Sequence, residues 1–231
     1  MMNEIVEENL IVRMMAYSDF QEFKRACLAS PIELTEYLDF GREMEFFLFT
    51  DFWNLFNFLL KDPKVNVYGL FRNSELVAVG TCHVTDNSRG YQIVGWVRSG
   101  NHGKKYGQLL LEALTERCLI TNNADYVELI IDQENQASSK VARNLEYEQI
   151  HKWEHFNSGQ GQLASGRFTL FMKFHPRLVE SALREGIRPM ELLERYWIWE
   201  EQGLISRPST EIRRSKSGKT RLAQNLRFIG I

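Results

Sequence analysis

The chain holds only three cysteines in 231 residues, Cys27, Cys82 and Cys118, and they share no paired spacing. That excludes a disulfide framework and leaves no cysteine-based metal site; no metal is expected. Scattered thiols of this kind read as small buried apolar residues in a reducing compartment. No run of about 20 apolar residues occurs, so no membrane span is expected. The opening MMNEIVEENL lacks the basic and apolar zones of a secretory signal, and a cytoplasmic protein follows from these absences. Net charge is also scarce, −2 in all, but it is unevenly placed. Residues 206–231 carry seven basic residues against the single acid Glu211, leaving 21 basic and 29 acidic residues elsewhere. A mildly acidic body therefore ends in a basic tail.

The length is enough to bury a sizeable core in one domain with an appendage. The stretch from Tyr91 to Cys118 organises it. Tyr91–Val97 is rich in β-branched and aromatic residues and reads as a strand. Gly100, Asn101 and Gly103 interrupt it. From Lys105 onward Leu110, Ala113, Leu114 and Cys118 recur at helical spacing. The turn between them holds Gly103, Lys104, Lys105, Tyr106, Gly107 and Gln108. A helix start exposes unpaired N–H groups and partial positive charge, so a basic, glycine-containing turn here is a site for a phosphate.

This segment resembles the acetyl-coenzyme A motif of the GNAT superfamily of N-acetyltransferases, written Q/R-x-x-G-x-G/A. His102, Lys105 and Gly107 occupy its positions, with His102 in place of glutamine or arginine and Lys105 in place of the middle glycine. A second motif follows the strand Tyr126–Asp132. The family has N-x-x-S-x-x-V-A-x-x-L-G-F, and Asn135, Ser138, Val141, Ala142, Leu145 and Tyr147 match it in register, with Glu146 where glycine is usual. As an amphipathic helix the same piece has core positions Ala137, Val141 and Leu145. The resemblance covers about residues 8 to 175 and, through V-A-x-x-L, points to the RimJ/RimL-like branch that acetylates ribosomal-protein N-termini.

The elements read along the chain agree with it. Leu10–Met15 is a first strand, and Ser18 with Gln21 can form a capping box for a helix bearing Phe20, Phe23, Lys24 and Cys27. Pro31 opens a second helical piece with Leu34, Tyr37 and Leu38 on one side. Thr50 or Asp51 can cap a helix running to about Lys61. The aromatic residues from Phe46 to Phe58 are too many for one core face, so they either fill a thick core between helices or line an acceptor pocket or dimer contact. Val65–Phe71 and Glu75–Val84 form a hairpin, with Gly80 marking a bulge or a close backbone approach. Glu148–Phe156 and Arg167–Lys173 pair across a flexible loop. Leu178–Gly186 and Pro189–Gln202 read as helices with Gly186 and Gly203 as C-caps. The fold class is thus α/β with a mixed sheet: a GNAT fold over residues 1–175 and a helical extension with a basic tail over 176–231.

The resemblance implies acetyl-CoA as cosubstrate and an amine acceptor, either a protein N-terminus or a small amine. It implies that the coenzyme's arm pairs with the fourth strand around Trp96, Val97 and Arg98. The pyrophosphate would rest on the N–H groups from Gly103 to Gln108, with Lys104 or Lys105 adding charge and Asn135 touching the arm. Ser138 would be a donor on the thiol side. The tyrosine that many members place seven residues after the asparagine is Ala142 here, and the branch's fourth-strand glutamate is Ile93. Glu128 and His83 are the candidate bases. An alternative is a non-catalytic acyl-CoA-binding module whose basic tail holds a protein or nucleic acid. Only two helices precede that tail, which argues against a DNA-binding winged helix. A homodimer is compatible with the sequence.

Overall fold

In the computed structural model, residues 9–31, 34, 49–85, 89–155 and 166–201 are described. Within them the β-branched and aromatic runs form seven strands: β1 (Leu10–Met14), β2 (Val65–Arg72), β3 (Glu75–Val84), β4 (Gly90–Val97), β5 (Tyr126–Asp132), β6 (Glu148–His155) and β7 (Gly166–Phe174). The helices are α1 (Phe20–Leu28), α2 (Phe49–Lys61), α3 (Tyr106–Glu116), α4 (Gln136–Asn144), α5 (Pro176–Glu185) and α6 (Pro189–Glu201). The strands form one mixed sheet in the order β1-β2-β3-β4-β5-β7-β6. Only β4 and β5 run parallel, and they pair over just three residues, Gly90–Gln92 against Tyr126–Glu128. Beyond Gln92 the two strands part.

Each face of the sheet is covered. One carries α3 and α4, whose Leu110, Leu111, Leu114 and Ala142 bury against Ala78, Ile93, Val127 and Phe171. The expected close approach at Gly80 is real: a Cβ there would sit 2.6 Å from Leu114 Cδ1, so only glycine lets α3 lie this near β3. The β-bulge lies elsewhere, at Leu70/Phe71 of β2. On the other face α1 and α2 bury Phe20, Phe23, Phe52 and Phe56 against Val79, Val94 and Trp96. Of the aromatic residues between Phe46 and Phe58, Phe52 and Phe56 are therefore core and Phe58 packs against them partly buried. Trp53 stays 37% exposed with Phe20 edge-on to it, while Phe46 and Phe47 lie outside the described residues.

Helices α5 and α6 lie on this second face as well, over β5 and β7, where Leu178, Leu192 and Leu193 meet Tyr126, Met172 and Phe174. Asp125 ties them down. It receives Arg89 Nε at 2.5 Å and Arg177 at 2.8 Å, and Arg177 also bonds Asn123. Arg89 in turn lies over the Tyr196 ring.

Several local expectations change. The N-cap position of α1 is Asp19 rather than Ser18, and its side chain does not cap the helix but closes the preceding 3-10 turn Tyr17–Asp19 by accepting from the Ala16 N–H, while pairing with Arg13. Thr50 and Asp51 sit inside α2, which already includes Phe49. The buried side of α4 is Ser138, Ser139 and Ala142, while Ala137 faces out, because the sheet meets the helix along the Ala142 side. Helix α5 begins at Pro176, two residues before Leu178, with His175 Nδ1 accepting from the Arg177 N–H. Gly186 closes it in the left-handed region as expected. Tyr37, Leu38, the loop 156–165, Gln202, Gly203 and the basic tail lie outside the described residues.

Candidate functional site

The turn entering α3 sets the site. Gly100 and Gly103 have φ of 81° and 77°, and Lys105, the N-cap, has φ 64° and ψ 12°. The middle-glycine position of the motif is therefore left-handed, and a lysine there costs about 1–2 kcal/mol of backbone strain. No side chain caps α3. Its first ladder bond is Leu109 N–H to Lys105 O at 3.0 Å, so the N–H groups of Tyr106, Gly107 and Gln108 precede the ladder. Gly107 packs directly on β4: a Cβ there would lie 3.2 Å from Val97 Cγ2.

A cleft of about 680 Å³ opens beside this turn, a size that suits a cofactor. Gly95–Val97 of β4, the turn from Asn101 to Gln108, and the Ala137, Lys140, Val141 and Asn144 stripe of α4 wall it. Asn135 and Ser138 complete it. The strand edge is open here because β5 has turned away. Arg98 N–H is bonded to Val77 O across the β3–β4 ladder. By antiparallel alternation Trp96 and Val94 also spend their backbone on β3, while Ile93, Gly95 and Val97 direct theirs to the gap. Of Trp96, Val97 and Arg98, only Val97 offers its backbone to the cleft. Arg98 is turned to Glu75, 2.8 Å away, and does not line it. His102 Nε2 lies 3.2 Å from Val97 O, holding that carbonyl as a donor.

The sequence from 9 to 148 matches the family model described as acetyltransferase (GNAT) domain. The chain belongs to the GNAT acetyltransferase family. No curated protein sequence matches it. Among solved structures it is similar to RimL, a ribosomal L7/L12 α-N-protein acetyltransferase in complex with coenzyme A. Identity is 15% and the TM-score 0.63, over 71% of this chain and 93% of that one. It is also similar to spermidine N-acetyltransferase from Vibrio cholerae in complex with CoA and spermine (11%, 0.58, 72% and 95%). A third is ribosomal-protein-S5-alanine acetyltransferase from Vibrio fischeri (13%, 0.57, 72% and 93%).

Against this GNAT frame the candidate residues divide. The cleft gathers Trp96, Val97, His102, Gly103, Lys105, Tyr106, Gly107, Gln108, Asn135 and Ser138. Lys104 is directed to Asn101 Oδ1 at 3.1 Å and is not among the lining residues. Asn135 is the N-cap of α4, its Oδ1 accepting from Ser138 N–H at 3.0 Å, so it fixes the cleft wall whatever else it does. Glu128 and His83 do not line this cleft; both lie on the α1/α2 face. His83 Nε2 is 2.7 Å from Thr81 Oγ1, and burial pushes its pKa down to about 4, partly offset by Asp62. Ala142 and Ile93, where other members carry tyrosine and glutamate, are fully buried in the core. Missed from sequence were Lys140 and Asn144, while Val141 was read as a motif and core position only; with Ala137 they form an i, i+3, i+4, i+7 stripe that could have shown one face of α4 turned to the cleft.

The arrangement fits an anionic, strand-like ligand. Helix-start amides, the Lys105 and Lys140 ammonium groups and a strand edge that β5 leaves open converge on one cleft. None of the three cysteines reaches it; all are buried, with Cys27 and Cys82 pushed above the usual thiol range. Among the described residues no His/Cys/Asp/Glu group could hold a metal ion, and no helix is long and apolar enough to cross a membrane.

Proposed function

We propose that the protein transfers an acetyl group from acetyl-CoA to a primary amine by direct attack in a ternary complex. The observation that carries this is the convergence on one cleft of the α3 amides and the edge of β4 that β5 leaves open. Bound acetyl-CoA supplies the acyl group as an activated thioester. The N–H groups of Tyr106, Gly107 and Gln108, with Gly103, hold the pyrophosphate, and Lys105 and Lys140 add positive charge. Val97 and Gly95 align the arm by strand-like pairing, and a β4 N–H on the same edge stabilises the charge building on the acyl oxygen. Ser138 donates to the departing sulfur. A thiol near pKa 8.5 needs little help to leave, so the buried Ala142 in place of a tyrosine is tolerable. A base on the acceptor side takes the amine proton. Glu128 suits this better than His83, whose ring is bound to Thr81 and too weakly basic.

Residues 1–175 carry this activity in our reading, and 176–201 form an appended helical wall. Similarity to RimL and to the S5-alanine enzyme makes a protein N-terminus the first acceptor to test, with polyamines second. A cytoplasmic location accords with the scattered thiols. The test is thiol release from acetyl-CoA with N-terminal peptides and small amines as acceptors. Release that depends on one acceptor supports the reading; its absence across the panel, with coenzyme still bound, supports the second one. In that second reading the chain is a non-catalytic acyl-CoA-binding module, favoured by the core positions of Ala142 and Ile93. Its basic tail would then hold a protein or nucleic acid.

A further inference from the structure

Resting on that ternary-complex reading, we infer that the Trp96 indole N–H is a specificity-determining donor that demands a neutral carbonyl oxygen on the acceptor. The substrate is then an α-amino amide or peptide, not a polyamine or a free amino acid. Trp96 is only 7% exposed, yet it lines the cleft. An indole N–H can donate and not accept, and a buried one ordinarily has a partner. Among the described residues this one has none. Its ring belongs to the cluster of Phe23, Phe56, Val79 and Val94, whose side chains offer it carbon alone. A buried donor left unmade is costly, and the cleft is where a ligand oxygen can meet it.

The placement of the ring assigns it to the second substrate. Trp96 stands opposite Val79 and spends its backbone on β3, so its side chain alone is left for a ligand. Strand side chains stand roughly perpendicular to the sheet. Gly95 and Val97 give the coenzyme arm the in-plane edge, with Ala137, Lys140, Val141 and Asn144 of α4 beside it. The indole lies on the opposite face, in the α1/α2 layer. The donor then selects among amines by their chemistry. A polyamine carries no oxygen, and its non-reacting nitrogens are protonated, so the indole stays unpaired. A free amino acid offers a carboxylate, and a charge set among these apolar side chains costs more than one hydrogen bond returns. The carbonyl beside a peptide's α-amine is neutral and accepts. Trp96 is one strand residue, about 3.3 Å, from Gly95 and from Val97, so the oxygen it takes belongs to the reacting end of the acceptor.

The test uses the full chain and Trp96→Phe, which keeps an aromatic ring and loses the donor, with folding checked by melting temperature and coenzyme A affinity by calorimetry. Acceptors are an alanine-starting dipeptide, its reduced analogue with CH2 in place of the first carbonyl, spermidine and free alanine. Each is read as the ratio of variant to wild type, which cancels the amines' different basicities. Trp96→Phe should lose about 10-fold in kcat/KM with the dipeptide and stay within about twofold with the reduced analogue, with coenzyme affinity also within about twofold. Wild type should favour the dipeptide over spermidine and free alanine. An equal loss with dipeptide and reduced analogue marks a structural role and overturns the proposal. A loss of coenzyme affinity, which gives the indole to the coenzyme, overturns it too, as does no loss with the dipeptide. Should Trp96→Phe not fold, wild type decides: faster transfer to the dipeptide than to its reduced analogue at equal neutral-amine concentration supports the donor, and equal rates overturn it. Should wild type release no thiol with any acceptor, the activity reading fails and the same pair is titrated into the coenzyme A-loaded protein. Tighter binding of the dipeptide, abolished in Trp96→Phe, keeps the donor; equal or no binding overturns it.

Discussion

Replacing Lys105 by glycine should make the protein more stable and a poorer binder at once. Lys105 holds φ 64°, a conformation that costs an L-residue about 1–2 kcal/mol and glycine nothing. Glycine gives back about 0.4–1 kcal/mol through the extra freedom of the unfolded chain. The net gain is about 0.5–1 kcal/mol, or a rise of about 1–3 °C in Tm for a chain of this size. The same change removes an ammonium from the α3-turn end of the cleft. Such a partly exposed charge contributes about 0.5–1 kcal/mol, so coenzyme A affinity should fall about 2–5-fold at low salt and less at high salt. Lys105→Ala separates the two effects, because alanine keeps the strain and loses the charge: affinity falls equally and Tm does not rise. Differential scanning calorimetry and coenzyme titration at two salt concentrations measure both. A lower Tm for Lys105→Gly, or full affinity in both variants, would refute the argument.

Other consequences can be checked alongside. Glu146 has φ 61° at the second glycine position of the family motifs, so Glu146→Gly should stabilise by about 0.5–1 kcal/mol in urea unfolding without touching coenzyme affinity. Asp125→Ala leaves the well-buried Arg89 without its carboxylate and should cost about 3 kcal/mol, read as a drop in urea midpoint, with α5 and α6 losing hydrogen-exchange protection first. His83 is held neutral by burial, its pKa near 4 against 6.5 when exposed. Between those values the unfolded chain binds the extra proton, so stability present above pH 6.5 is lost as the pH falls toward 4. His175, shifted the same way, adds to that slope, and His83→Gln should flatten the share due to His83 in melting curves taken across this window.

Much of the fold was legible because its signals are local. The hairpin Val65–Arg72 and Glu75–Val84 follows from β-rich runs around Asn73 and Ser74, which both take positive φ in the turn. Gly186 closes α5 for the same kind of reason. The turn entering α3 was legible from glycine and lysine placement, and two departures from the family motifs, Lys105 in this turn and Glu146 after α4, prove to be left-handed positions that suit glycine. What local pattern does not carry is the partner. Helix periodicity in 136–144 named an apolar stripe including Ala137, yet which stripe meets the sheet depends on where β5 and β7 run. Strand alternation alone could not tell which β4 backbone groups β3 consumes, and so Trp96 and Arg98 were grouped with Val97. That Gln92 stands beside Glu128 depends on the parallel register of β4 and β5, which no single stretch encodes.

The central claim is that the amides opening α3 receive the coenzyme's diphosphate. Amide-resolved NMR during titration of the protein with coenzyme A tests it directly. The account predicts saturable shifts that are largest at Tyr106, Gly107 and Gln108, with Val97 following along β4. Those amides unmoved at saturating coenzyme, or shifts concentrated away from the α3 turn, would contradict it.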